Sequence, residues 1–145
     1  VPSDTGVNIS GAGGLMKVLI VDDAAEAAEI LAEGARLHNC EVVDVVSTGQ
    51  DAIGKAIMTP YDLITLDIRM PGISGLEALS VIRGIRSHSI LAIVSAYVHD
   101  LDADAKATAD VILSKPVSLS TFQELLTLAW EISERRVAIR NLGKM

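Results

Sequence analysis

The chain is poor in cysteine and in aromatic residues, and both shortages limit what it can be. Cys40 is the single cysteine among 145 residues. It excludes an intrachain disulfide, and nothing in the thiol content points to secretion. Its expected role is that of a small buried hydrophobe. Tyr61, Tyr97, Phe122 and Trp130 are the whole aromatic set, so the core must be aliphatic. Basic charge is also short: 12 Lys and Arg against 19 Asp and Glu give a net charge of −7. That balance argues against general binding to nucleic acid or to an anionic membrane surface. No apolar run approaches the roughly 18 residues that a membrane span requires. With half of its residues hydrophobic, the chain is not a disordered one. These features describe a single soluble domain, expected in the cytoplasm.

Residues 1–15 are rich in glycine and small polar residues and carry no periodicity, so they read as an expression scar or flexible leader. Met16 looks like a native start. From there strand-like runs alternate with helix-like ones. The strands are expected at 17–21, 41–46, 63–67, 90–94 and 111–114. In the first helical segment Glu26, Glu29, Glu33 and Arg36 share one face, with Ala27, Ile30, Leu31 and Gly34 opposite. The second helix is placed near 50–58, and the third carries Ala78, Leu79, Ile82 and Ile85 on one side. The fourth is placed near 100–107. The last begins at a capping signal, Ser118 or Ser120 followed by Gln123. Five strands alternating with five helices predict an α/β fold, a doubly wound parallel five-stranded sheet covered on both faces.

In such a sheet the carboxyl ends of all strands share one edge, where ligands bind. Four strand ends here carry useful chemistry. Asp22 and Asp23 follow the first strand and Asp67 ends the third. Ser95 follows the fourth, and Lys115-Pro116 follows the fifth. Taken singly, each has an ordinary explanation: a helix N-cap for the Asp pair, a turn for Asp67 or Lys-Pro, a loop hydroxyl for Ser95. Taken together, three converging carboxylates call for a cation. Oxygen donors without histidine or thiolate suit a hard ion such as Mg²⁺, or Mn²⁺ in its place. A divalent ion and Lys115 would neutralise an incoming phosphoryl group, with Asp67 as nucleophile and Ser95 as hydrogen-bond donor. His38, His88 and His99 form no ligand or phosphotransfer pattern.

The segments Lys17-Val-Leu-Ile-Val-Asp-Asp23, Leu66-Asp-Ile-Arg-Met-Pro-Gly-Ile-Ser-Gly-Leu-Glu77, Val94-Ser-Ala96 and Ser114-Lys-Pro116 resemble the receiver domain of two-component response regulators, over residues 16–130. The resemblance implies a flavodoxin-like fold with strand order 2-1-3-4-5. It implies Asp67 as phosphoacceptor, with Asp23 binding Mg²⁺ directly and Asp22 through water. The main-chain carbonyl of Arg69 would be a third protein ligand. Ser95 would be the hydroxyl that moves toward the phosphate, and Lys115 the phosphate-binding lysine before a cis Pro116. The implied donor is a sensor histidine kinase or histidine phosphotransfer protein. The implied output is a switched surface around the fourth and fifth helices that acts on an output domain or partner protein. The chain departs from the family pattern at Ile112, where an aromatic switch residue is common, and at Val117, where Phe is common. Tyr97 is the candidate to shield the phosphate or report the state instead. Arg69 and Tyr97 match positions that, in the family, influence how readily water reaches the acyl phosphate.

Residues 131–145 are expected to form a helical extension or a linker to an output domain. Leu125, Ile132 and Ile139, with Leu128, Arg135 and Leu142 in a second seam, offer a heptad spacing for a homodimer. Two rival readings stay open at this point. One is a phosphatase of the haloacid dehalogenase type, whose Asp-x-Asp spacing the adjacent Asp22-Asp23 does not match. The other is a receiver-like module that binds without phosphorylation, against which the intact acidic and basic set argues.

Overall fold

The structure, a computed structural model, describes residues 16–143; the leader expected at 1–15 lies outside the described residues. Five strands, β1 (Lys17–Val21), β2 (Val42–Val46), β3 (Leu63–Leu66), β4 (Ile90–Ser95) and β5 (Val111–Ser114), form one parallel sheet in the order β2-β1-β3-β4-β5. Between and after them run α1 (Ala25–Leu37), α2 (Gly49–Met58), α3 (Gly75–Ile85), α4 (Ala103–Thr108) and α5 (Leu119–Leu142). The 2-1-3-4-5 order is the flavodoxin-like one expected.

Side chains on successive strand residues point to opposite faces, and this alternation divides the core into two layers. Leu19, Val21, Ile64, Leu66, Leu91 and Ile93 meet α2, α3 and α4 through Ala52, Ala56, Ala78, Leu79, Ile82 and Ala105. Val18, Ile20, Leu63, Ala92 and Val94 meet α1 and α5 through Ala28, Leu31, Ala32, Phe122 and Leu126. Small alanines on the helices let them lie close to a sheet that has little aromatic bulk to offer. Cys40 is half-buried at the margin of the second layer.

Local signals set most helix starts. Thr48, Ser74, Asp102 and Ser118 each cap a helix with a side-chain oxygen, and Ser74 and Glu77 complete a reciprocal capping box. Several details differ from the sequence reading. Ser118 alone caps α5, through Thr121 N–H at 3.1 Å, and Gln123 plays no part in it. On α1, Ala28, Leu31, Ala32 and Ala35 face the core while Ile30 is exposed, because α1 is rotated relative to the expected face. The segment placed near 100–107 splits into a 3-10 turn, Val98–Asp100, and a helix that starts only after Asp102. Asp102 takes the Ala105 N–H at 2.8 Å and thereby fixes the later start.

The polar run 131–136 is helical and continuous with α5. Ser133 donates to Asp62 at 3.1 Å, and the Arg136 guanidinium donates to the carbonyl of His88. The distal helix is thus tethered to the loops at the amino-terminal edge of the sheet. Leu128, Ile132, Ile139 and Leu142 are exposed. None of the described helices is long and apolar enough to cross a membrane.

Candidate functional site

Strand register brings the acidic residues together. Val21 pairs with Leu66 across β1 and β3, so Asp22 and Asp67 are the next residues on adjacent strands. Both are buried, whereas Asp23 is exposed. One carboxylate oxygen from each of Asp22, Asp23 and Asp67 lies within 4.8 Å of the others. Ser95 pairs with Ser114 across β4 and β5, which sets Lys115 just beyond it. The Lys115 ammonium reaches back across the edge, 2.7 Å from Asp22 Oδ2 and 3.2 Å from Asp67 Oδ2. The Lys115-Pro116 peptide is cis.

Neither member of the acidic pair caps α1. The N-cap position is Ala24, without a side-chain cap, and Asp22 Oδ1 accepts the Ala24 N–H at 2.9 Å. The ordinary explanation of the pair as a helix cap therefore fails. Asp67 Oδ1 accepts the N–H of Ile68 at 2.7 Å, which fixes the carboxylate plane. Ser95 is fully buried. Its Oγ accepts the Tyr97 N–H at 3.1 Å, and its own proton meets no acceptor among the described residues.

Charge and burial pull against each other here. Burial pushes the Asp22 carboxyl above its ordinary value, and the charge of Asp67 adds to this. Lys115 and the Ala24 N–H offset part of the shift. Burial alone would lower Lys115, but its pairing with Asp22 and Asp67 outweighs that and raises it, so the ammonium stays charged. Three carboxylates against one ammonium leave two negative charges unbalanced. An all-oxygen donor set with that deficit fits a hard divalent cation such as Mg²⁺.

A second cluster borders this edge. The Arg69 guanidinium lies 4.0 Å from the centroid of the Tyr97 ring and pairs with Asp100. It connects the loop after β3 to the 3-10 turn after β4. Ile112 is half-buried and packs on the layer beneath α2, α3 and α4. Two residues of the region escaped the sequence reading. Asp100 is one, and no local pattern marks it. The other is Gly75, where an added Cβ would lie 1.8 Å from the carbonyl oxygen of Asp67. The Ser74–Glu77 capping spacing was the available signal, since it makes Gly75 the first residue of α3. Gly75 N–H also donates to Ile68 O at 2.8 Å, so α3 begins in direct contact with the Asp67 backbone.

The family model described as the response regulator receiver domain matches residues 18–127. A protein-glutamate methylesterase/protein-glutamine glutaminase of Colwellia psychrerythraea is 37% identical over 100 residues, covering 66% of this chain and 24% of that protein. The chain spans only 19–25% of the length of that protein and of the methylesterases of Archaeoglobus fulgidus and Vibrio cholerae that it also matches. The response regulator TrrA of Thermotoga maritima, solved in complex with Mg²⁺–BeF, matches with a TM-score of 0.72 and 30% identity, covering 79% of this chain and 99% of that one. A structure of the histidine kinase ThkA in complex with TrrA matches with a TM-score of 0.70 and 30% identity, over 79% of this chain and 98% of that one. With its register-built acidic edge, its sheet order and these matches, the chain belongs to the response regulator receiver domain family.

Proposed function

We propose that this receiver accepts a phosphoryl group on Asp67 from the phosphohistidine of a sensor histidine kinase or histidine phosphotransfer protein. The observation that carries the reading is the convergence of Asp22, Asp23 and Asp67 beneath Lys115, with the free hydroxyl of Ser95 on the next strand. An Asp67 carboxylate oxygen attacks phosphorus and forms the acyl phosphate. The P–N bond breaks, and the imidazole nitrogen leaves with the bonding pair and takes a proton from solvent. Asp22, Asp23, Asp67 and the Arg69 carbonyl would hold Mg²⁺, or Mn²⁺ in its place, which supplies charge neutralisation for the phosphoryl oxygens.

Lys115 then exchanges its contact with Asp67 Oδ2 for a phosphoryl oxygen, and Ser95 donates its unengaged proton to another. The phosphoryl group adds a charge of about −2 at neutral pH, enough to draw both side chains inward. Those movements bias the surface formed by α4, β5 and α5 toward a second arrangement, which is read by an output domain or partner protein. Ile112 cannot rotate as an aromatic switch, so Tyr97 takes over the reporting role. α5 carries the signal onward, either as a helical connection to the output or through a homodimer. The compartment expected for this chemistry is the cytoplasm.

The test is incubation with Mg²⁺ and a small acyl phosphate. An acid-stable, base-labile adduct should form, map to Asp67, and disappear in Asp67→Asn or after Mg²⁺ chelation. No adduct from small donors or from candidate kinases would overturn the reading in favour of a constitutive binding module. Turnover of many phosphate esters would overturn it in favour of a phosphatase.

A further inference from the structure

At the sheet edge opposite Asp67 lies a cavity of about 360 Å³, walled by residues 60–62, residues 85–89 and the distal half of α5. Three arginines line it, Arg86, Arg136 and Arg140, together with His88. None of the three arginines is ion-paired among the described residues. Arg86 donates only to main-chain carbonyls, Ala56 O at 2.7 Å and Ile57 O at 3.1 Å, and Arg136 only to His88 O. Arg140 donates to no group among the described residues.

The one carboxylate in the wall is already engaged. Asp62 accepts the Lys17 N–H on Oδ2 at 2.9 Å and the Ser133 hydroxyl on Oδ1 at 3.1 Å. Each guanidinium carries five N–H donors in a planar fork, so most of these donors have no partner among the described residues. Such forks match the oxygens of phosphate. A concentration of unpaired positive charge is unexpected in a chain of net charge −7. That same net charge repels a long polyanion such as nucleic acid or an anionic membrane. A cavity of this size, open to solvent and walled by three elements, suits a small ligand.

We propose that this cavity binds a small phosphate-bearing anion through Arg86, Arg136 and Arg140, and that occupancy fastens the distal half of α5 to the domain. Two of the three arginines lie beyond Ala129, the last buried residue of α5. Past that point the hydrogen bonds of Ser133 and Arg136 tether the helix. An anion bridging Arg86 on one wall to Arg136 and Arg140 on the other adds a charged tie across the gap. The inference does not depend on phosphorylation of Asp67.

The experiment titrates the whole chain with pyrophosphate and, separately, with ATP at low salt, following heat of binding and hydrogen exchange over residues 133–142. Binding should slow exchange there. The double variant Arg136→Ala/Arg140→Ala should weaken binding by about tenfold or more, given the strength of charge-assisted hydrogen bonds. Its fold is checked by circular dichroism, since Phe122, Leu126 and Ala129 hold the proximal helix. Tighter binding of ATP than of pyrophosphate would identify a nucleotide, and equal binding the phosphate moiety alone. Three results would overturn the proposal. They are no binding of either probe, unchanged affinity in the double variant, or loss of affinity in Lys115→Ala with retention in the double variant.

Discussion

The Arg69–Tyr97–Asp100 cluster makes a quantitative prediction about how long the acyl phosphate survives. It ties the loop after β3 to the turn after β4, beside the carboxylate that would carry the phosphoryl group. Both members of the ion pair are about half exposed, at 59% and 49%, so the pair is worth only ~0.2–1 kcal/mol. The guanidinium stacked 4.0 Å from the half-exposed Tyr97 ring adds ~0.5–1 kcal/mol. Asp100→Asn removes the ion pair and keeps the stack, so loop opening should become about twofold more frequent. Arg69→Ala removes both, and opening should rise by about threefold to thirtyfold. If water reaches the acyl phosphate through that opening, dephosphorylation should accelerate by the same factors. The assay is phosphate release after rapid removal of the donor at constant Mg²⁺. High salt should move the wild type toward Asp100→Asn, because at 1 M the screening length is ~3 Å. Equal lifetimes in all three proteins would refute the argument. A fall in Mg²⁺ affinity that matched the rate change would refute it too, by placing the effect at the metal.

Gly75→Ala should destabilise the domain by at least about 3 kcal/mol or displace the loop after β3, because the new methyl would collide with the Asp67 carbonyl. Thermal unfolding together with the yield of phosphoryl adduct checks it. Thr65 has a fully buried hydroxyl without a hydrogen-bond partner among the described residues. Thr65→Val should therefore stabilise by ~1–3 kcal/mol, seen as a higher urea midpoint at unchanged slope. Burial, and then the charge of Asp62, push the Cys40 thiol up to about 12 from 9.0. Thiol reagents should modify the folded protein slowly at pH 8 and the unfolded chain readily. Between pH 9 and pH 12 the folded state keeps a proton that the unfolded state has lost. Stability should fall as pH rises through that window, and less steeply in Cys40→Ala.

The fold was legible because alternating periods are a local property. β1 and β5 fall at the expected limits, and the other three strands within one residue of them. The acidic edge was legible for a different reason: a parallel sheet sends every strand end to one side, so chain order alone placed Asp22, Asp67, Ser95 and Lys115 together. What could not be read depends on tertiary partners. The stretch from Glu131 stayed open between a helical extension and a linker because the acceptors that hold it, Asp62 and the His88 carbonyl, are 71 and 48 residues away from Ser133 and Arg136. Arg69 and Asp100 are 31 residues apart, with nothing in either neighbourhood to announce the pair. α1, which leaves Ile30 exposed, packs its Gly34 against Leu119 and Phe122 of α5, residues 85 and 88 positions further along the chain.

The uneven burial of the strands has a mechanical consequence. β3 is buried along its whole length and β4 nearly so, while β5 at the rim is only half covered and its last residue, Ser114, is exposed. The middle of the sheet is therefore a stiff plate and the β5 rim a pliant lip. Asp67 is anchored to the plate, whereas Lys115 hangs from the lip. A pull between them, as the proposed phosphorylation of Asp67 would supply, would bend the lip on the side where α4 and α5 flank it.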